Sequence, residues 1–218
     1  MSDDFQQRFR LSPSSTLVIG SIQVEGGLAV LALVLGWLFR IPIATTIHWK
    51  TVDFWIGIIF TLPVLLACWI LYRFRWKSVE LIRNFLNLFY EKFVKHCSIF
   101  QIFLIALLAG LGEELFFRGF VQTALMTWMT GWGIPEVYAI LWAVSLSALL
   151  FGLVHPISRL YVIICVLIGI YCSVLFLWTG NLLAPIVFHA FYDFVVLALW
   201  RQFGQKETPQ DDYKAENR

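Results

Sequence analysis

Residues 98–120 read SIFQIFLIALLAGLGEELFFRGF. The first half is a mostly apolar run of side chains; the second places Glu113, Glu114 and Arg118 within six residues of one another. An apolar run of this length is a membrane-span candidate, and a charged side chain at the centre of such a span costs about 2.5–3.5 kcal/mol on insertion scales. Each of the three charges therefore needs a partner or a task.

The rest of the chain supports a membrane reading. It has 218 residues, 60% hydrophobic and 14% charged, with a mean hydropathy of +0.78. A water-soluble core could not enclose so much apolar surface. The net charge of +2 and the lack of a basic tract interleaved with aromatics argue against nucleic-acid binding. Cys68, Cys97, Cys165 and Cys172 show no metal-ligand spacing and read as small apolar residues. The polar start MSDDFQQRFRLSPSS does not look like a cleavable leader.

Six apolar stretches have spanning length, at about 16–40, 53–72, 99–120, 136–155, 160–178 and 182–200. Because only helices or closed barrels satisfy their backbone in lipid, they are expected to be helices. The fold class is thus all-α, a polytopic bundle of about six transmembrane helices. Segment 80–97 (ELIRNFLNLFYEKFVKHC) mixes charges and apolar residues at helical spacing and predicts an amphipathic helix on the membrane surface.

With the amino terminus inside, Arg8, Arg10, Arg73, Arg75, Lys77, Arg83, Lys92, Lys95, Arg159, Arg201, Lys206, Lys214 and Arg218 fall on the inner side. Only Arg40, Lys50 and Arg118 do not, so both termini are expected to be cytoplasmic, in the inner membrane if the cell is bacterial. The expected organisation is one structural domain. Residues 1–98 hold the amino-terminal spans and the amphipathic helix, 99–200 a core of apolar helices, and 201–218 a polar tail.

Three polar clusters interrupt the apolar spans. Glu114 and Arg118, four apart, can pair on one face; Glu113 lies about 100° round the helix and is left without a partner on it. An unpaired carboxylate held away from bulk water suits a general base. In FGLVH, Phe151 and His155 share a face near the end of the fourth span, where His155 could orient a water beside Glu113 or carry a proton. In NLLAPIVFHAFYD, Asn181 can cap the sixth span, Pro185 falls in or just past its first turn, and Asp193 can fix the tautomer of His189.

Structural readings compete with these. A Glu–Arg pair can be glue between helices, an intramembrane His can be a satisfied hydrogen-bonding group, and Phe151 can be packing. The conjunction of one base-like Glu and two His on three helices nevertheless makes a site that packing does not require. Glu25, beside Gly26 and Gly27 in the first span, has no partner or role legible here.

EELFFR (113–118), FGLVH (151–155) and HAFYD (189–193) resemble, in order, the EExxxR, FxxxH and HxxxN/D motifs of the CPBP intramembrane proteases. That family includes type II CAAX prenyl endopeptidases and bacterial Abi or bacteriocin-immunity proteins. The resemblance implies a glutamate-type intramembrane endopeptidase acting on a membrane-associated peptide or protein. Glu113 with His155 would activate the attacking water, His189 with Asp193 would stabilise the oxyanion, and Glu114 and Arg118 would support the site. The prenyl enzymes carry Asn where this chain has Asp193, so Asp193 is expected to hold His189 as an imidazolium donor.

The lipid bilayer is the other expected partner. No cofactor is expected; zinc on the same Glu and two His is the alternative, disfavoured because the spacing is not HExxH and His189 already has Asp193. A non-proteolytic immunity or scaffold protein is the alternative outside enzymology. Finally, with the third helix starting near 99, Glu113 would stand beyond the midplane while His155 lies near the cytoplasmic boundary. They can meet only if that helix is tilted or starts later and runs on past Arg118, as is expected here.

Overall fold

A chain with so few polar side chains satisfies its backbone most completely by helix formation. The computed structural model describes residues 12–74 and 76–203, with helices joined by short connections and no strand among the described residues. Six helices are long and apolar enough to cross a membrane. They are α1 (Pro13–Leu38), α2 (Thr51–Arg73), α4 (Ile99–Gly131), α5 (Glu136–Leu153), α6 (Arg159–Thr179) and α7 (Leu183–Phe203). A seventh, α3 (Lys77–Lys92), lies between the second and third. The protein is an all-α integral membrane helix bundle.

Helix α3 is the expected amphipathic element, shifted toward the amino terminus. Its Val79 and Tyr90 are buried, while Leu81, Phe85 and Leu88 face outward. It ends where Phe93 leaves helical geometry, a short 3₁₀ turn spans Val94–His96, and Ser98 then starts α4. Ser98 accepts from the Gln101 backbone N–H and its own N–H donates to the Gln101 side chain, which satisfies two of the free donors of the new helix.

Two spans depart from regular α-helix. Helix α1 contains a π turn at Ile22–Gly26, and α4 contains a longer one at Leu115–Gln122. Widened turns of this kind concentrate at functional sites. The side chains of Ser147 from α5 and Thr123 from α4 itself donate to the α4 carbonyls of Phe117 and Arg118, respectively, so the irregular backbone does not leave these two acceptors bare.

The 33-residue length of α4 resolves the difficulty about depth. At about 1.5 Å per residue it is about 50 Å long, well beyond a hydrocarbon layer of about 30 Å, and it does continue past Arg118. Glu113 stands eighteen residues before the end of α4 at Gly131, and the antiparallel α5 is itself 18 residues long. Counted from the hairpin that joins them, Glu113 and the end of α5 are both about 27 Å away, hence level.

Helix α7 packs between α4 and α2, α5 pairs with α6, and α1 lies along α4. Close approach of α4 and α7 depends on Gly110, where a Cβ would stand 2.7 Å from the backbone nitrogen of Ala190. Small residues at such crossings let membrane helices pack backbone to backbone. Here the crossing sits one turn below Glu113 and beside His189. Outward-facing Leu, Ile, Val and Trp side chains on every span leave an apolar exterior. All four cysteines are free, with Cys97, Cys165 and Cys172 buried and Cys68 half-buried. Arg8, Arg10, Arg75, Lys206, Lys214 and Arg218, used above to orient the chain, lie outside the described residues, as does the tail after 203.

Candidate active site

Glu114 and Arg118 project from α4 into the centre of the bundle, and neither has any solvent exposure. Their side chains pair at 2.7 Å, and Arg118 also donates to the Gly169 carbonyl of α6 at 3.0 Å. The guanidinium further lies over the Phe151 ring, 4.6 Å from its centre. A buried charge needs this many partners, because Coulomb attraction alone does not offset desolvation.

The same Glu114 oxygen lies 2.9 Å from Nδ1 of His189. The carboxylate hydrogen-bonded at Nδ1 is Glu114, while Asp193, the expected partner, stands at the other ring nitrogen with its Oδ2 3.6 Å from Nε2, an ion-pair distance. The four-residue spacing brings Asp193 to the right face of α7, but the α4–α7 crossing brings Glu114 closer. With Glu114 accepting at Nδ1, the Nε2 edge of His189 is turned toward Glu113 and Asp193.

Glu113 points away from the Glu114–Arg118 pair, as the helical offset predicts. Its Oε1 is 3.9 Å from Nε2 of His155 and its Oε2 is 3.9 Å from Nε2 of His189. Neither is a direct hydrogen bond; both are separations that one water molecule can bridge. Glu113 Oε2 is shielded from solvent and has no direct partner.

His155 is not on a helix. Helix α5 stops at Leu153, and His155 lies just past it. Its position is nevertheless fixed, because Nδ1 is 2.7 Å from the Phe151 carbonyl. With the proton on Nδ1 donated to that carbonyl, Nε2 faces Glu113 as a lone pair. Phe151 does more than fill space: its ring is within 4.9 Å of His155 and 5.9 Å of His189, besides carrying Arg118.

Exposure rises across the cluster. The side chains of Glu114 and Arg118 are 0% exposed, Glu113 13%, His155 27% and Asp193 30%. The site therefore opens on the His155–Asp193 side and is sealed behind Glu114. At the far end of α7, Asn181 Oδ1 accepts from the Leu183 N–H, the capping bond expected of it. Its Nδ2 also donates to Asp53 of α2 and to the His48 carbonyl. This buried clamp fixes the start of α7, and so the height at which His189 and Asp193 enter the site. No sequence spacing pointed to Asp53 or Gly169, which act from separate spans.

Among the described residues, no group of three His, Cys, Asp or Glu side chains is placed to hold a metal ion.

Carboxylates and imidazoles gathered from two membrane helices and the turn that follows a third, with one buried ion pair behind them, have the makings of an intramembrane hydrolase. The family model described as Type II CAAX prenyl endopeptidase Rce1-like matches residues 95–195. This segment, which holds every residue of the cluster just described, is similar to the CPBP, or CAAX protease, family of intramembrane endopeptidases. No curated protein matches the chain. No solved structure matches it either.

Proposed function

We propose that the protein hydrolyses a peptide bond in a membrane-associated peptide or protein, with Glu113 as the general base. The observation that carries this reading is the position of Glu113 between two imidazole Nε2 atoms, 3.9 Å from each. A water between Glu113 and His155 donates one hydrogen to each, since both present acceptors, and turns a lone pair toward the opening. As its oxygen bonds to the scissile carbonyl carbon, Glu113 takes the proton.

The negative charge that develops on the carbonyl oxygen is met by the Nε2 edge of His189, protonated for that purpose, with Glu114 fixing the ring from behind and Asp193 balancing its charge. When the C–N bond breaks, the proton on Glu113 passes to the leaving amine. Residues 114 and 118 touch neither water nor substrate in this scheme; they position His189 and Phe151. The bundle holds the reaction away from bulk solvent, which strengthens each of these interactions. The excess of basic residues on one side supports cytoplasmic termini, in the inner membrane if the cell is bacterial.

The test compares membrane-protein termini by mass spectrometry in cells carrying the wild-type chain or Glu113→Ala at equal abundance. New termini that need Glu113 would establish proteolysis and identify the substrate. Identical termini from two folded proteins would refute the protease reading and favour a binding or immunity role.

A further inference from the structure

Glu25 lies in α1, outside residues 95–195, and the cluster described above does not include it. It is nonetheless set against that cluster. Glu25 forms part of the π turn at Ile22–Gly26, and this turn packs on α4 at Gly112, the residue before Glu113. The approach is so close that a Cβ on Gly112 would collide with the Glu25 carbonyl oxygen. A side chain at position 112 would thus force the two backbones apart. One carboxylate oxygen of Glu25, Oε2, is shielded from solvent and has no hydrogen-bond partner. The carboxylate is within electrostatic reach of His189, Asp193 and Glu113.

A lipid-facing acid would turn outward or move toward the headgroups, and a structural one would be tied down by direct hydrogen bonds, as Glu114 is through Oε1. Glu25 does neither. We infer that Glu25 is a positioning residue of the catalytic cavity, a carboxylate delivered by the first span whose charge holds His189 and Glu113 in their working orientation. The inference rests on the hydrolase reading of that cavity. It gives a task to the π turn in α1, which swings Glu25 toward α4, and to Gly112, which leaves room for it. Charge fixed in advance around a reacting centre needs no rearrangement during the reaction, which is how a residue that never touches substrate can affect rate.

The test uses full-length protein in detergent and dicyclohexylcarbodiimide, an apolar reagent that adds to buried carboxyl groups. Adduct formation at Glu113 is followed by peptide mass spectrometry in wild type, Glu25→Gln and Glu25→Asp, with Tm measured for each. Glu25→Gln is expected to change the labelling rate of Glu113 at least threefold while Tm is retained, with Glu25→Asp in between. Should the Gln variant unfold, Glu25→Asp against wild type provides the same comparison. In the cell, Glu25→Gln is expected to lower the yield of Glu113-dependent termini at least tenfold. Equal labelling of Glu113 in all folded variants, including none in any, overturns the inference, as does an undiminished yield of termini. A wild-type chain that produces no Glu113-dependent termini would defeat the hydrolase reading instead, a result the labelling does not share.

Discussion

Helices α1 and α4 are both long apolar spans interrupted by a π turn, and acid lies within that turn in α1 and immediately before it in α4. In α4 the acid Glu114 is bonded to Arg118 and His189, and Arg118 in turn to the Gly169 carbonyl. In α1, no hydrogen bond ties Glu25 down among the described residues; Glu114 also leaves one shielded oxygen, Oε2, without a partner but is held through Oε1. Glu113 belongs with Glu25 in this respect, although it is the immediate neighbour of Glu114. Two kinds of buried carboxylate follow: one is held by direct bonds and fixes the architecture, and the other is kept available for chemistry or its control.

The sharpest break between the two kinds is expected at Glu113. Glu113→Gln should lower turnover about 10²–10⁴-fold, the usual contribution of a general base, and leave Tm in detergent within a few degrees of wild type. A large loss of Tm would move Glu113 into the architectural group. The reverse pattern is expected at Arg118, where Arg118→Met strands Glu114 and should destabilise the fold by about 3–5 kcal/mol, read as lost Tm and lost membrane abundance. The double variant Glu114→Gln/Arg118→Met should be more stable than Arg118→Met alone, because it leaves no uncompensated charge.

Smaller effects are expected at the helix crossings. Gly112→Ala and Gly110→Ala should each cost about 1–3 kcal/mol by overpacking, measured by thermal unfolding in detergent. Beyond that shared loss, Gly112→Ala should also reduce turnover in proportion to how far it displaces Glu25. The smallest effect is expected from chelation. Prolonged dialysis against EDTA should leave turnover unchanged if the carboxylate alone activates the water, whereas loss of turnover restored by Zn²⁺ would favour the zinc version of the site.

The extent to which sequence alone revealed this site varies from residue to residue. The Glu114–Arg118 pair was legible because it is local: four residues on one helix must share a face, even when the turn between them is widened. The isolation of Glu113 followed from the same geometry. The Nδ1 partner of His189 was not legible, since Asp193 is close along the chain and Glu114 is close only through the α4–α7 crossing. His155 was placed on a helix that in fact stops two residues earlier; its ring is held instead by the Phe151 carbonyl, a contact that leaves no trace in side-chain periodicity. Glu25 had no sequence signal beyond being an acid in an apolar span, because its neighbours are on α4 and α7.

By itself, then, the sequence determined the number of spans, the amphipathic helix between the second and third, the three polar clusters and the continuation of α4 beyond Arg118. All of these depend on residue type and spacing along one helix, where the period is fixed by backbone geometry. Tertiary structure decided which imidazole meets which carboxylate, where the cluster opens, and that the first span reaches it. Those outcomes depend on how closely two backbones approach, and here that distance is set by glycines at 110 and 112 whose importance appears only when the facing helix is in place.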